Sequence, residues 1–314
     1  MGRNIVKLIL QWLFAFGLLF ILLLLPREME METGASGEFV SAHYTYSAEA
    51  HVENVKSFFI PLFNGEGLGT DRYDRPLLGQ AWEMIQRSLW LIIPAFFVSI
   101  LLGIAKGVFD FQTRHGKRRV AGLQTTWLGL SLPDLFFIIM IQMTMMYLNV
   151  HGIVTGLKLY THETIEAVVM NVIYLSIFPM FYLANITYAA LSAEQGADYI
   201  RTARAKGVPA FKLLYIHMLR NGLAKIFVHT NTVVLYLLSN LFVIEYLTQY
   251  RGAAYYFKEY VAASQRIVDG QSLMVDVGAI IAFTLFFTLM ILFAGLISQV
   301  ARTFLLPHER GSSG

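Results

Sequence analysis

Long apolar runs alternate with polar segments along the whole chain. The first run, Ile5–Leu25, has 21 residues and is interrupted mainly by Lys7 and Gln11. A helix of that length rises about 30 Å, which matches the hydrocarbon core of a bilayer. Five further runs of at least this length follow, at 88–109, 127–148, 164–191, 222–246 and 275–305. The pattern predicts an all-α integral membrane protein with six transmembrane helices.

The first run has a second interpretation, as a secretory signal peptide. Its apolar stretch is longer than the roughly 7–15 residues of a signal core. The sequence Leu25-Pro26-Arg27-Glu28 also follows where a cleavage site needs small residues. We therefore expect a retained first helix.

The one long polar segment is 26–84, which carries ten acidic residues and four basic ones. Long segments are translocated with little regard to charge, so we expect an extracytoplasmic loop here. Within it, Val52–Phe63 is amphipathic, and we expect it to lie on the membrane surface. The glycines of 65–70 predict turns, because this stretch lacks the Lys and Ser/Thr of a phosphate-binding loop.

The basic residues predict the orientation. If both termini lie in the cytoplasm, the inner side carries fifteen Lys and Arg, and the two short outer loops carry four. The inner fifteen are Arg3, Lys7, Lys106, Arg114, Lys117, Arg118, Arg119, six between Arg201 and Lys225, Arg302 and Arg310. The positive-inside rule therefore predicts cytoplasmic termini, with 306–314 as a cytoplasmic tail.

A polar, basic island at 192–221 separates the fourth and fifth apolar runs. Ser192-Ala193-Glu194-Gln195 has the form of a capping box, which predicts a helix start. Gly207 is placed as a left-handed residue at the helix end, and Pro209 prevents continuation. These signals predict a short helix outside the membrane, on its cytoplasmic side.

The same island resembles a known family. The string Tyr-Ile-Arg-Thr-Ala-Arg-Ala-Lys-Gly at 199–207, followed by His217 and Arg220-Asn221, is similar to the cytoplasmic loop of ABC-importer permeases. Within that superfamily it is most similar to the dipeptide, oligopeptide and nickel branch. The Gly-Leu-Ser-Leu-Pro sequence at 129–133 and the glycine-rich stretch before the second span resemble the same branch.

The resemblance implies a type I permease fold over 85–305, with a coupling helix that docks in a groove of an ATPase subunit. The residues that match the loop pattern are Tyr199, Arg201, Thr202, Ala203, Arg204, Lys206 and Gly207. The implied partners are a second, homologous permease in a heterodimer, two ATPase subunits and an extracytoplasmic solute-binding protein. ATP and Mg²⁺ would be held by the ATPases, so no cofactor is expected in this chain. The implied substrates are di- or oligopeptides, with a nickel or metal chelate as the alternative.

The sequence departs from the family after Glu245. The expected Phe-x-x-Pro-Gly-Leu-Gly is replaced by Tyr-Leu-Thr-Gln-Tyr-Arg-Gly at 246–252. This departure affects the region where the substrate gate and the binding-protein contact are expected.

Composition agrees with a membrane protein and excludes several other classes. The chain is 56% hydrophobic and 14% charged, with a mean hydropathy of +0.55, which is too apolar for a soluble domain of 314 residues. Its net charge of +3 does not favour nucleic acid as a partner. It contains no cysteine, hence no disulfide or thiolate metal site. No enzyme motif is present, and His151 and His162 are too weak a pair to predict a metal site.

Ionisable residues inside the spans are candidates for function, because burying a charge in hydrocarbon is costly. They are Asp134, His229, Glu245 and Asp276. An ion-coupled carrier would need Asp134 and His229 as a relay. The simpler interpretation is that Asp134 caps backbone groups beside Pro133 and that His229 is a hydrogen-bonded interior histidine.

Neutral polar residues on the fourth and fifth spans could line a translocation path or hold helices together. The candidates for the path are Asn231, Ser239, Asn240, Glu245 and Asp134. Asn231 and Ser239 are eight residues apart and therefore near one face of a helix. A membrane sensor or scaffold is a further alternative, but it does not explain the 199–207 string.

The charge distribution generates a topology test. Ser47→Cys should react with an impermeant thiol reagent from outside the cell, and Ser192→Cys should not. The measurement is labelling of intact cells, and the native chain, which has no cysteine, is the blank. The opposite labelling pattern would reverse the orientation and place the 192–221 island on the wrong side for an ATPase.

Overall fold

A computed structural model describes residues 2–26, 29–33, 39–65, 67–70, 75–154, 161–263 and 277–305. These residues form two compact units. The first unit takes its described residues from 2–9, 88–250 and 289–305, and the second takes its described residues from 10–87 and 251–288. The predicted tail at 306–314 and the ionisable Asp276 lie outside the described residues.

Among the described residues, five helices are long and apolar enough to cross a membrane. They are α1 (Gly2–Leu23), α3 (Leu77–Gln112), α6 (Ile165–Gln195), α10 (Thr230–Leu247) and α12 (Val277–Leu305). The other α-helices of the described residues are α2 (Ala48–Phe63), α4 (Thr125–Ser131), α5 (Asp134–Val150), α7 (Asp198–Ala205), α8 (Ala210–Lys212), α9 (Arg220–Phe227) and α11 (Ala253–Ala263). The prediction of a multi-pass helical membrane protein is confirmed. A sixth span exists if α4 and α5 are counted together.

The third predicted span is not a straight helix. A 3₁₀ turn (Lys117–Arg119) and a π-helix (Val120–Gln124) lead into α4, and α5 then leaves at an angle of 103°. The break follows from Pro133, whose ring forces the preceding Leu132 into an extended conformation (φ −91°, ψ 142°). The prediction of one helix over 127–148 is therefore wrong at Leu132.

The fifth predicted span, 222–246, is also interrupted. It divides into α9 and α10 at a turn formed by Val228 and His229. The carbonyl group of Val228 accepts a hydrogen bond from Ser298 Oγ of α12 at 2.6 Å. A neighbouring helix thus satisfies a backbone group that the break removes from the helical ladder, as the membrane interior requires.

The segment predicted as a polar loop contains regular structure in the second unit. Strands β1 (Met29–Thr33) and β2 (Phe39–Tyr44) pair antiparallel, with Met29 opposite Tyr44. Helix α2 follows, and Ser47 caps it by accepting a hydrogen bond from the amide of Ala50. The predicted turns before α3 are confirmed, because Gly65, Gly67 and Gly69 all have positive φ. The hairpin was not predicted.

The rest of the second unit is held by aromatic contacts between α11 and α12. Phe257 meets Phe287 edge to face, with ring centroids 6.0 Å apart. Tyr260 lies 6.2 Å from the ring of Phe283, which is fully buried. Gly278 of α12 approaches the carbonyl oxygen of Leu68 so closely that an added Cβ would lie 2.7 Å from it.

The first unit is organised around α6, which packs against α4, α5, α9 and α10. Helix α3 also contacts α6, through Gly103 and Gly107. A Cβ at Gly103 would lie 2.6 Å from Leu183 Cβ, and one at Gly107 would lie 2.4 Å from Thr187 Cβ. Two glycines four residues apart on one helix face allow backbones to approach closely, as in other membrane helix pairs. This contact fixes where the ends of both helices lie.

The close approach of α3 and α6 generates a stability prediction. Gly107→Ala places a methyl group 2.6 Å from the carbonyl oxygen of Ala184, so overpacking should cost about 1–3 kcal/mol. Gly79→Ala, on the same helix but with no atom within 4 Å, is the matched control. The control should be neutral or stabilising by up to about 1 kcal/mol, because alanine is the better helix former. Thermal unfolding in detergent measures both, and equal midpoints would contradict the contact.

Candidate functional site

The predicted helix of the 192–221 island begins later than its sequence signals indicate. Helix α6 continues through Ser192 to Gln195, so the capping-box prediction is wrong. Gly196 and Ala197 form the connection, and Ala197 is extended (φ −68°, ψ 144°) with no side-chain cap. The residues of 192–195 are compatible with a helix, and α6 simply propagates through them. The first four residues of the island therefore belong to α6, and only a two-residue turn separates α6 from α7.

The end of α7 is as predicted. Gly207 has φ +77°, and its amide donates to the carbonyl group of Arg204 at 3.0 Å. The amide of Val208 donates to the carbonyl group of Ala203 at 3.2 Å. These two bonds make a Schellman motif, which satisfies carbonyl groups that the helix leaves without partners. A Cβ at Gly207 would meet no atom of the chain within 4 Å, so the backbone conformation alone favours glycine there.

The inner face of α7 is bound to its own chain. Ile200 is fully buried in a cluster of apolar side chains, and Ala197 and Ala203 pack against that cluster. The other buried members are Val108, Phe111, Leu191, Leu213, Leu214 and Met218. Because these residues come from α3, α6 and the π-helix Leu213–Leu219, α7 is fixed to three elements at once.

The outer face of α7 is exposed and basic. Of the seven residues that match the family loop, six are exposed: Tyr199, Arg201, Thr202, Arg204, Lys206 and Gly207. The seventh, Ala203, is half-buried and faces inward. Arg201 forms a 3.6 Å ion pair with Asp198, but both side chains are largely exposed, so the pair adds little stability. The exposed face is available to another protein.

A carboxylate at the end of α6 ties the start of α7 in place. Glu194 Oε1 accepts from Lys225 Nζ of α9 at 2.9 Å, and Glu194 Oε2 accepts from the Tyr199 hydroxyl. Partial burial and the bond to Glu194 raise the pKa of the Tyr199 phenol above its ordinary value of 10.0, although a hydrogen bond with Asn221 opposes the shift. The phenol therefore stays protonated at neutral pH and keeps donating to Glu194.

A second connection joins the end of α6 to the end of α3. The Arg114 guanidinium donates to Gln195 Oε1 at 3.0 Å and to the carbonyl group of Phe111 at 2.5 Å. It also lies 3.9 Å from the ring centroid of Phe111, a cation–π distance. The sequence analysis used Arg114 only as one of the basic residues of a cytoplasmic loop. In the structure it positions the C-terminal end of α6, from which the chain continues into α7.

Lys106 and Asp110 form a buried ion pair near the same end of α3, which the sequence analysis did not predict. Lys106 donates to Asp110, whose side chain is fully buried, and to the carbonyl group of Gly122 at 3.0 Å. Thr126 Oγ1 donates to the second oxygen of Asp110 at 2.5 Å. The pair is spaced i, i+4, and that spacing is the only sequence signal that could have found it. It fixes the π-helix and α4 against α3.

The segment after α7 exposes aromatic side chains. The rings of Phe211 and Tyr215 are in tilted contact with centroids 4.6 Å apart, and Phe211 is 70% exposed. Ile216, beside them, is 49% exposed. These residues extend the exposed surface of α7 with apolar area, and no sequence signal had singled them out.

The structure gives Asp134 and His229 separate hydrogen-bond partners. Asp134 Oδ1 accepts from the amide of Leu135 at 2.8 Å in the first turn of α5. His229 Nδ1 shares a hydrogen bond of 2.8 Å with the Tyr182 hydroxyl. These partners agree with the structural interpretation of both residues, and the role of Asp134 and His229 as a relay stays a prediction.

The path candidates on α10 do not share one surface of the chain. Ser239 is exposed, whereas Asn240 is 4% exposed and Glu245 is fully buried. Glu245 accepts a hydrogen bond from Ser88 Oγ of α3 at 2.5 Å. Asn231 is half-buried, and its Oδ1 has no hydrogen-bond partner among the described residues. Their role in a path stays a prediction.

The end of α10 lies where the sequence departs from the family pattern. Gln249 has φ +55°, a left-handed conformation that is uncommon for residues other than glycine. The amide of Tyr250 donates to the carbonyl group of Glu245 at 3.0 Å, which makes a second Schellman motif. The left-handed Gln249 thus ends α10.

Membrane-spanning helices that hold a short basic helix at one end, with its outer face exposed, have the architecture of a transport permease. A family model described as "Binding-protein-dependent transport system inner membrane component" matches residues 88–310. Because the match covers well over half of the chain, this protein belongs to that family and is an ABC-importer permease with the type I fold.

Curated relatives agree with this assignment. The dipeptide transport system permease protein DppB of Bacillus subtilis (strain 168) is 26% identical over 240 residues, which are 73% of this chain and 72% of the relative. The oligopeptide transport system permease protein AppB of the same organism is 24% identical over 250 residues, 77% of this chain and 75% of the relative. A putative peptide transport system permease protein of Brucella suis biovar 1 is 26% identical over 167 residues, and the match spans only 53% of it.

The buried face of α7 generates a prediction about local stability. Ile200→Ala should remove about 2–5 kcal/mol of packing free energy, because its side chain is fully enclosed. At the lower limit, amide hydrogen exchange over 198–206 should accelerate about 30-fold if these amides exchange by local opening. Thr202→Ala, on the exposed face, is the matched control and should change exchange little. Equal protection in both variants would show that α7 is not held by its inner face.

Proposed function

We propose that this chain is the permease subunit of an ATP-driven importer and that α7 is its coupling helix. The observation that supports this most strongly is the division of α7 into two faces. Ile200 and Ala203 fix it to its own chain, while Tyr199, Arg201, Arg204 and Lys206 stay exposed. A helix that is rigidly attached on one side and open on the other is suited to pass a movement of a partner to the membrane helices.

The attachment of α7 defines how such a movement would travel. Glu194 and Tyr199 join α7 to α6, and Lys225 joins the same carboxylate to α9. Arg114 joins the end of α6 to α3. A displacement of α7 would therefore act on α6 and α3, which are both long enough to cross a membrane, and also on α9.

The proposed assembly contains two ATPase subunits, a second homologous permease and an extracytoplasmic binding protein. ATP and Mg²⁺ would be held by the ATPases, so this chain needs no cofactor and no catalytic residue. The basic face of α7 favours a groove of acidic or neutral character on the ATPase. The exposed Phe211 and Tyr215 lie next in the chain and would supply apolar contact area to the same partner.

The translocation path is proposed to run along the exposed face of α10, with this chain forming half of it. Ser239 and the half-buried Asn231 would offer hydrogen-bonding groups to a passing solute. Asn240 and Glu245 lie on the enclosed side, where Glu245 binds Ser88 and would hold α10 against α3. Asp134, at the start of α5, completes the set of path candidates.

The proposed substrates are dipeptides or oligopeptides. This rests on the relatives, whose names describe dipeptide and oligopeptide transport, and on the 199–207 string. We also propose that both termini and α7 lie in the cytoplasm of the cell, since the basic residues concentrate on that side.

The coupling proposal is tested by two substitutions that act through different causes. Gly207→Val should strain a left-handed backbone by roughly 1–2 kcal/mol, because a Cβ is crowded there. Arg201→Glu reverses a charge on the exposed face without straining the backbone. Both variants should insert normally into the membrane but lose co-purifying ATPase subunits and substrate-stimulated ATP hydrolysis.

Matched controls separate coupling from general damage. Gly152→Val introduces the same kind of strain at φ +69°, in the turn after α5 and away from α7. Arg118→Glu makes the same charge reversal in the loop before α4, where the side chain is exposed. Both controls should retain the ATPases. If Gly207→Val and Arg201→Glu behave like their controls, α7 is not the transmission element.

A further inference from the structure

Helix α2 changes polarity along its length. Its first half exposes the charged Glu49, Glu53 and Lys56. No charged residue follows Lys56 in the helix, and apart from Ser57 the exposed side chains of the second half are apolar. They are Ile60, Leu62 and Phe63, which are 55%, 43% and 83% exposed. An exposed apolar end on an otherwise polar helix needs a specific environment.

The polar half of α2 is attached to the end of α1. His51 Nε2 lies 3.1 Å from the carbonyl oxygen of Ile21, and Asn54 Nδ2 donates to the carbonyl group of Leu24 at 3.2 Å. These carbonyl groups belong to the last turn of α1 and to the residue after it, where the helix offers no partners for them. Because α1 is long and apolar enough to cross a membrane, we take its end as the boundary between hydrocarbon and water, and the polar half of α2 lies beside that end.

The apolar half of α2 packs beside the last membrane-embedded turn of α1. Phe20 lies 5.2 Å from the ring of Phe58 and 5.6 Å from that of Phe59. Phe59 in turn stacks with Phe63 at 6.0 Å. A continuous set of aromatic rings therefore leads from α1 to the exposed end of α2.

The exposed apolar surface of α2 is also continuous with that of α1. Around the turn that holds Phe20, α1 exposes Leu18, Leu19, Ile21 and Leu22, which face lipid if α1 spans the membrane. The sequence interpretation placed Val52–Phe63 flat on the membrane through one long face. In the structure Val55, Phe58 and Phe59 of that face are half-buried, and contacts with α1 use both phenylalanines. The exposed side chains of the first half are mostly polar, with Val52 the large apolar exception at 54% exposed, and those of 57–63 are apolar apart from Ser57.

We propose that the second half of α2, 57–63, is inserted obliquely into the lipid leaflet beside α1. Ile60, Leu62 and Phe63 contact acyl chains there, while 48–56 stays among the headgroups, where Glu49, Glu53 and Lys56 are hydrated. The occupant of this surface is lipid. This inference rests on the proposed orientation in one respect: that orientation makes this leaflet the outer one. The insertion itself does not depend on the orientation.

The chain has no native cysteine, so single cysteines can report the environment of each position. We would attach a bimane fluorophore to Ile60→Cys, Phe63→Cys, Glu49→Cys and Glu53→Cys in the full chain, reconstituted in phosphatidylcholine nanodiscs. Lipid carrying a doxyl group quenches labels among acyl chains, and iodide quenches labels in water. Phe58→Cys, on the side that contacts α1, reports a position packed against protein.

Labels at 60 and 63 should lose most of their fluorescence to doxyl lipid and little to iodide. Labels at 49 and 53 should show the reverse. Quenching by iodide at 63 as strong as at 53 would overturn the proposal. Protection at 63 from both quenchers, as expected at 58, would also overturn it, because a protein partner would then cover this end. A reversed topology in the Ser47→Cys labelling would move the site to the other leaflet and leave its insertion testable by the same quenching.

Discussion

The close approach of α3 and α6 is the constraint on which the position of α7 depends. At Gly103 and Gly107 the two helices touch with no side chain between them on the α3 side. In a membrane such contacts replace the hydrophobic effect, which does not drive helices together in lipid. Once the two helices are set, Arg114 and Gln195 lie within hydrogen-bonding distance. The short turn at Gly196 and Ala197 then leaves α7 few positions to occupy.

Electrostatic contacts add to this constraint at the same end of the helices. Lys106 and Asp110 hold the π-helix and α4 through Gly122 and Thr126. A buried pair of this kind contributes more to a defined geometry than to net stability, because its desolvation is costly. The loss of Lys106 would leave the fully buried Asp110 as an unpaired charge, at a cost of about 3–5 kcal/mol. The pair thus fixes the geometry of this end of α3 without being exposed itself.

Hydropathy alone predicted most of the fold, and local chemistry predicted part of the site. The conformation of Gly207 could be predicted, because only local sequence decides the end of a short helix. The start at Ser192 could not, because a capping signal competes with the tendency of a long helix to continue. The bend at Pro133 was readable in principle from the residue before proline. The turn at His229 was not, because Ser298 supports it from a helix distant in sequence. The spacing of Gly103 and Gly107 is a sequence signal for the close contact of α3 with α6.

The π-helix Leu213–Leu219 has a consequence for how the chain length between α7 and α9 can vary. A π-helix accommodates residues beyond the number that an α-helix of equal rise would hold. The deletion of one residue there would return the segment to α-helical hydrogen bonding and leave α9 in its present rotational phase. A deletion of Leu223 within α9 has no such extra residue to remove, and it would turn the rest of the helix by about 100°, since each residue of an α-helix advances by that angle. Ala224 and Ile226, now buried, would then leave the interior, and Lys225 would lose Glu194. The π-helix is therefore the part of this segment where natural variation can change the residue count without rotating the helix that follows.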